Sequence, residues 1–469
     1  MTNKNQNSIT ERIFKLSENN TDFRTEIIAG LTTFITMAYA LLVIPNILKF
    51  SGMNSLGALG AEAANLSLLS DPIIASAFAG TCIASAIGTL IMSLYANLPF
   101  AIAPGIGLTA FFSYSVCLNL GYTWQQALAA VFVSGILFIL ITITSIREKI
   151  VDALPENLKL AITAGIGLFI ALIGLKSGNV IVADQSTLVK FGDFTSKGTL
   201  LTIFGIIIMG ILMARNIKGS MLIAIVITTI IGIPLGITKV SGIELFSIPD
   251  FGGTFMKLDF KGLLSHGGSG FIGAVTSILM VVITFSLVDL FDTIGTLVGT
   301  AQKAGMIDKN GKVKNMKKAL LSDAIATSFG AMLGTPTLAT YVESSSGIAE
   351  GGRTGLTTFV VGILFIVALF FGGLIGIVPA EATSPALVIV GVLMMGAVKE
   401  IDFSDFTEAL PAFFTVAIMP FSYSIANGIA AGIIFYPIMK LATGKTKDVH
   451  PIMYVLAILF IFRFWRLPG

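Results

Sequence analysis

Leu98-Pro99-Phe100-Ala101-Ile102-Ala103-Pro104-Gly105-Ile106-Gly107-Leu108-Thr109-Ala110-Phe111-Phe112 is an apolar stretch that two prolines and two glycines keep from being one helix. Proline removes an amide donor and blocks the preceding turn. A second stretch breaks in a comparable way. Gly334-Thr335-Pro336-Thr337-Leu338-Ala339-Thr340-Tyr341-Val342-Glu343-Ser344-Ser345-Ser346-Gly347 reads as an extended piece followed by the start of a half-helix rich in Ser and Thr. Irregular backbone at membrane depth persists only where it is buried in protein or lines a wet cavity. Paired interruptions in the two halves of a chain therefore point to a substrate site between repeats. The competing reading is a pair of kinks that improve helix packing.

Around these breaks the chain of 469 residues is 55% hydrophobic and only 12% charged, against roughly 25% charged in a soluble domain. A water-soluble fold is excluded. Apolar windows fall near 27–48, 72–96, 100–118, 126–146, 158–178, 199–214 and 219–238, then near 270–300, 319–334, 337–350, 354–376, 384–398, 406–422 and 424–441. These are segments 1 to 14 of an all-α polytopic membrane protein, and the breaks fall in segments 3 and 10. A further run, 450–466, carries Arg463 and Arg466 and either spans or lies in the interface.

Lysine and arginine collect on the cytoplasmic side of short loops. With residues 1–26 inside, Arg147, Lys149 and Lys159 after segment 4, Arg215 and Lys218 after segment 6, and Arg353 after segment 10 all come out cytoplasmic. So does the cluster Lys303, Lys309, Lys312, Lys314, Lys317 and Lys318 after segment 8. Loops 179–197 and 239–269, placed outside, hold Asp184, Asp193, Glu244, Asp250 and Asp259 with few lysines. The first apolar run is too long for a secretory signal, so the polar start, with Lys4, Arg12, Lys15 and Arg24, is expected to stay on the protein.

Seven segments per half make the second half enter from the opposite side, the geometry of an inverted repeat. Faint echoes accompany it: Ile35-Thr36-Met37-Ala38 with Ile283-Thr284-Phe285-Ser286, and Pro99 with Pro336. The expected organisation is a cytoplasmic 1–26, a first repeat over 27–238, an extracytoplasmic connection over 239–269 and a second repeat over 270–469.

Asp289 and Asp292 lie inside the apolar run of segment 8, three residues apart and hence on one helical face. Placing each at mid-membrane costs about 2.5–3.5 kcal/mol on insertion scales, so an intramembrane acid marks a functional site by default. Two carboxylates in low dielectric do not both stay ionised cheaply, and at least one is expected to carry a proton. Glu343 follows the break in segment 10, and Tyr341, Phe111 and Phe112 flank the breaks as flat faces for stacking a ring.

Acids without an interior Arg or Lys suit an anionic cargo poorly. They suit a neutral heterocycle with N–H edges. No cofactor or metal site is expected, because Cys82 and Cys117 lie in apolar segments without ligand spacing and His266 and His450 stand apart. A net charge of +3, spread over loops, gives nucleic acid no footprint. A membrane hydrolase would need a nucleophile or metal constellation that the motifs do not supply. A channel would not accumulate cargo against a gradient.

The chain resembles the nucleobase/cation symporter-2 family, in its adenine/guanine/hypoxanthine permease branch. The resemblance rests on Phe23-Arg24-Thr25-Glu26-Ile27-Ile28-Ala29-Gly30-Leu31-Thr32-Thr33-Phe34, Pro104-Gly105-Ile106-Gly107-Leu108, Asp289-Leu290-Phe291-Asp292-Thr293-Ile294-Gly295-Thr296 and Tyr341-Val342-Glu343-Ser344. It implies fourteen helices in two inverted repeats, a core domain of segments 1–4 and 8–11, and a gate domain of segments 5–7 and 12–14. It also implies short crossing strands in segments 3 and 10, and proton symport of purines at the core–gate boundary. The implied substrate contacts are Asp289, Glu343, Thr109, Phe111, Tyr341 and Ser344, with proton coupling within Asp289, Asp292 and Glu343. The branch carries Asn at the position of Thr109, and a hydroxyl cannot present the paired donor and acceptor of an amide; the exchange bears on which purine is preferred. The runner-up cargo is uracil or xanthine on the same fold. The expected partners are a purine nucleobase, the proton and the lipid bilayer of the cell membrane, with a homodimer allowed.

Overall fold

A computed structural model of the chain describes residues 9–63, 66, 71–144, 153–240, 246, 248–265, 270–303, 306 and 313–466. Lys4, Arg147, Lys149, Glu244, His266, Lys309 and Lys312 lie outside the described residues.

Helices start where the sequence supplies a cap. Segment 1 (Phe23–Met37, continued by Ala40–Leu48) begins on Asp22, whose carboxylate accepts from the Thr25 amide. Segment 2 (Pro72–Ile91) begins on Asp71 with Pro72 in its first turn, and segment 4 (Trp124–Ile143) begins on a Thr123–Gln126 capping box. Segments 5, 6 and 7 are Glu156–Ser177, Lys197–Ala214 and Ser220–Gly232. In the second half, segments 8 and 9 are Gly270–Lys303 and Met316–Leu333, and segments 11 to 14 are Gly355–Leu369, Ala380–Met395, Phe406–Phe421 and Ile425–Ala442. A closing helix, Pro451–Arg466, follows.

Segments 3 and 10 break as the prolines require. Segment 3 is strand β1 (Ile102–Pro104), a short helix (Ile106–Ala110) and a π-helical continuation (Phe111–Asn119). The loop between segments 5 and 6 is more ordered than a plain connection, folding as a hairpin of β2 (Ile181–Asp184) and β3 (Leu188–Phe191). Segment 10 is β4 (Leu338–Thr340) followed by a half-helix (Ser344–Ala349).

By length and composition, seven helices among the described residues suffice to cross a membrane, including segments 2, 4, 5 and 6. Others fall short for identifiable reasons. Segments 3 and 10 are part strand, and segments 7, 11 and 13 are helices of 13, 15 and 16 residues. At a rise of about 1.5 Å per residue these reach only some 20–24 Å, short of a hydrocarbon core of roughly 30 Å.

Packing sorts the segments into two bundles. Segments 1 and 2 lie on 10 and 11, and segments 2 and 4 on 9, while 4 also meets 8. Separately, segment 5 lies on 12, 13 and 14, and segment 6 on 7 and 12. Glycine permits the closest approaches. A Cβ on Gly391 would stand 2.5 Å from the Gly167 carbonyl oxygen, so segments 12 and 5 touch backbone to backbone. A Cβ on Gly80 would stand 2.2 Å from the Leu333 carbonyl, joining segments 2 and 9 in the same way. The molecule is thus an inverted-repeat membrane fold with a core bundle and a gate bundle, and β1 and β4 sit inside the core.

Candidate functional site

β1 and β4 pair antiparallel in the register Ile102 with Thr340, Ala103 with Ala339 and Pro104 with Leu338. All six residues are buried, so every polar backbone group needs a partner inside the protein. Thr89 of segment 2 supplies two of them: its hydroxyl accepts from the Ile102 amide at 3.0 Å and donates to the Ile102 carbonyl at 2.8 Å. Thr327 of segment 9 does the matching work for β4, donating to the Leu338 carbonyl at 3.1 Å. The Ala101 amide donates to Ser344 Oγ and its carbonyl accepts from the Tyr341 amide. Both half-helices therefore start beside a strand crossing that hydroxyls from segments 2 and 9 brace.

A cavity of about 310 Å³ opens at this crossing. From the core bundle it is lined by Tyr39, Gly105, Gly107, Asp292, Tyr341 and Glu343. From the gate bundle come Thr163 of segment 5 and Val390, Leu393 and Met394 of segment 12. Its size lies at the small end of ligand pockets, roughly 300–1,000 Å³. Glu343 is held by Tyr39, whose phenol donates to Oε1 at 2.7 Å. Tyr341 presents its ring to the cavity while its own hydroxyl donates to the Pro104 carbonyl at 2.6 Å. Asp292 lies against Gly105, where an added Cβ would come within 3.3 Å of Oδ2.

The structure brings three of the sequence-derived residues, Asp292, Tyr341 and Glu343, to one cavity, and places four elsewhere. Asp289 is fully buried in segment 8, about 4.5 Å along the helix axis from Asp292. Thr109 points its hydroxyl back to the Gly105 carbonyl at 2.8 Å, as a threonine does one turn into a helix. Phe111 packs edge-on against Phe285 with ring centroids 4.8 Å apart, bracing segment 3 on segment 8. Ser344 spends its oxygen on the Ala101 amide. Height along segment 3 accounts for the two there: Thr109 and Phe111 stand one turn beyond Gly105 and Gly107, on the same helical face but past the cavity lining.

Tyr39 escaped sequence reading, although a tyrosine in the middle of an apolar run must find a partner for its hydroxyl. Two acids were missed as well. Glu26 is fully buried at the start of segment 1. Its carboxylate accepts from the Arg353 amide at 2.8 Å and from the Thr357 amide and hydroxyl at 3.0 and 2.6 Å, capping the positive end of segment 11. Asp323, fully buried in segment 9, accepts from the Thr293 hydroxyl at 3.0 Å. A lone acid inside the apolar run of segment 9, and another at the very edge of that of segment 1, were the available signals.

A polytopic helical chain with two broken segments crossing at a polar cavity, between two separately packed bundles, is by fold and site a membrane transport protein and not an enzyme. The chain belongs to the permease family, whose family model matches residues 24–431, and so to the nucleobase/cation symporter-2 group its motifs resemble. It is 41% identical to the adenine permease AdeQ of Escherichia coli, over 98% of this chain and 97% of that one. It is 43% identical to the guanine/hypoxanthine permease PbuG of Bacillus subtilis, over 96% and 98%. A putative permease of Methanocaldococcus jannaschii is 47% identical over 98% and 99%. Among solved structures, the transmembrane domain of the cyanobacterial bicarbonate transporter BicA aligns with a TM-score of 0.61 at 16% identity, over 87% of this chain and 97% of that one. Murine Slc26a9, an anion transporter in its inward-facing state, aligns at 0.58 and 10% identity, over 94% and 74%. At such identities these two attest the fold alone.

Proposed function

We propose that this protein imports purine nucleobases together with protons, by alternating access, across the cell membrane. The observation that carries the reading is the pair of acids, Asp292 and Glu343, facing one small cavity beside the rings of Tyr39 and Tyr341. Fold does not fix cargo. In a fold shared with anion carriers, two carboxylates at the strand crossing repel an anion and accept N–H groups, while the flanking rings offer stacking faces. Relatives named for adenine, guanine and hypoxanthine supply the class of ring. Glu343 and Asp292 would bind the base. Asp289, in the turn of segment 8 before Asp292, would share the coupling proton with them.

With the N-terminus cytoplasmic, segment 5 runs outward, so the cavity wall at Thr163 and the late residues of segment 12 lie toward the cytoplasm and the site opens inward. The repeats would then be 27–238 and 270–469, with 239–269 outside. Each chain holds a complete site, and a homodimer would carry two.

The test is uptake of labelled guanine, hypoxanthine and adenine by cells lacking their own carriers, with uracil and xanthine as competitors and with or without a protonophore. Saturable accumulation of a purine that the protonophore abolishes is the expected result. Preferential uptake of uracil or xanthine would reassign the cargo, and non-saturable equilibration would make the protein a channel.

A further inference from the structure

The geometry points to Tyr39 as the positioning residue that sets the binding carboxylate of Glu343, with segment 1 as the ruler from which that position is measured. Segment 1 is bolted to segments 10 and 11 at three heights. At its start, Glu26 holds the Arg353 and Thr357 amides. One turn and two turns on, Ala29 and Thr33 press against Gly347 so closely that a Cβ there would meet the Ala29 carbonyl at 2.4 Å and the Thr33 hydroxyl at 2.1 Å. Beyond its first helix, at the junction before Ala40–Leu48, the Tyr39 phenol reaches Glu343 Oε1 at 2.7 Å.

Two consequences follow from this arrangement. Glu343 ends the non-helical link between β4 and the half-helix, and its side chain has no cap bond within its own segment. The phenol of Tyr39 fixes its rotamer from outside, with Oε1 engaged and the rest of the carboxylate left to the cavity. Tyr39 is itself almost fully buried and lines the cavity at one edge, so packing on its other sides holds the ring from which the phenol reaches Glu343. Preorganising a charged acceptor in this way raises affinity by sparing the ordering cost when the base binds. This inference rests on the nucleobase-carrier reading.

The experiment is Tyr39→Phe, which keeps the ring and removes only the hydroxyl. Initial rates of uptake of the preferred purine are measured in proteoliposomes containing equal amounts of wild-type and variant protein. KM is expected to rise about 10- to 100-fold, the usual worth of a hydrogen bond to a charged group, with Vmax per molecule changed far less. An unchanged KM, or an equal loss confined to Vmax, would overturn the role. If the variant inserts but transports too slowly to measure, equilibrium binding of the labelled purine to purified protein decides: a weakened Kd supports the role and an unchanged Kd rejects it. Absence of purine uptake and binding by the wild type would instead overturn the carrier reading and this inference with it, so the two failures are told apart by the wild-type arm.

Discussion

Glu343 and Asp292 reach the cavity from different segments, and on the proposed reading each would accept from the base separately. Replacing Glu343 or Asp292 by Ala is expected to cost at least about 10-fold in uptake efficiency, because each removes a charged acceptor and leaves the base's N–H unpaired. Asp289→Asn should behave differently. Buried and outside the cavity lining, it is expected to leave binding of the base to purified protein near wild type while accumulation against a gradient is lost. Equal loss of binding in the Asp289 and Asp292 variants would remove the distinction. Sequence spacing put both aspartates on one helical face, and the structure agrees. Which of them meets the cavity depends on the height of segment 8 against the strand crossing, a relation that no local pattern encodes. The same holds for Thr109 and Ser344, whose hydroxyl oxygens are spent on the backbone at 2.8 and 3.0 Å.

Among elements, the strand crossing depends on side chains from neighbouring helices. Thr89→Val keeps the shape and removes both bonds to Ile102, and with a buried amide and carbonyl left unpaired it is expected to destabilise the protein by about 1–3 kcal/mol. A thermal unfolding midpoint equal to wild type would contradict that account. In the gate bundle, Gly391→Val should force segments 12 and 5 apart, since even a Cβ would stand 2.5 Å from the Gly167 carbonyl. Overpacking of this kind costs about 1–3 kcal/mol, and detergent stability of the purified variant measures it.

Outside the membrane, the β2–β3 hairpin is pinned by Asp184. Its carboxyl is lowered from the ordinary 3.8 to about 2, chiefly by the Lys190 side chain at 2.9 Å and then by the Ser186 and Thr187 amides. The folded value lies below the unfolded one, so this contribution is present above about pH 4 and is lost as pH falls toward 2. Hairpin amide protection factors, the intrinsic exchange rate at each pH divided by the observed one, should fall in that window and hardly change between pH 5 and 7. The breaks in segments 3 and 10 were legible because proline acts on its own backbone. The hairpin was not, because its strands are short and largely exposed, without an apolar alternation to mark them.

For the whole molecule, transport requires that one route to the cavity be shut while the other is open. Further along segments 3 and 5 than the cavity-lining Gly107 and Thr163, rings from both bundles pack together. Tyr423, at the turn between segments 13 and 14, packs edge-on against Tyr114 at 5.9 Å and Phe169 at 5.5 Å, and Phe50 lies 5.9 Å from Tyr114. Lys176 sits over the Tyr423 ring at 4.7 Å. Cys117, one turn past Tyr114 and buried, is a native reporter of this seal. In a background with Cys82 replaced by Ala, Tyr423→Ala is expected to make Cys117 react with a membrane-impermeant thiol reagent added outside, whereas the parent protein stays unreactive. Continued protection of Cys117 would place the closure elsewhere.

Membrane residence, the number and order of segments, the two breaks and the presence of intramembrane acids were all settled by the chain itself. Each follows from local chemistry: an apolar run long enough for the bilayer, a proline without an amide proton, a carboxylate with nowhere cheap to go. Only the tertiary structure decided that β1 pairs with β4 and that Asp292 rather than Asp289 faces the cavity. It alone showed that Tyr39, about 300 residues before Glu343 in the chain, supplies that acid's hydrogen bond. Such contacts arise where two bundles and two inverted halves meet, and the distance between side chains there is fixed by packing across the molecule.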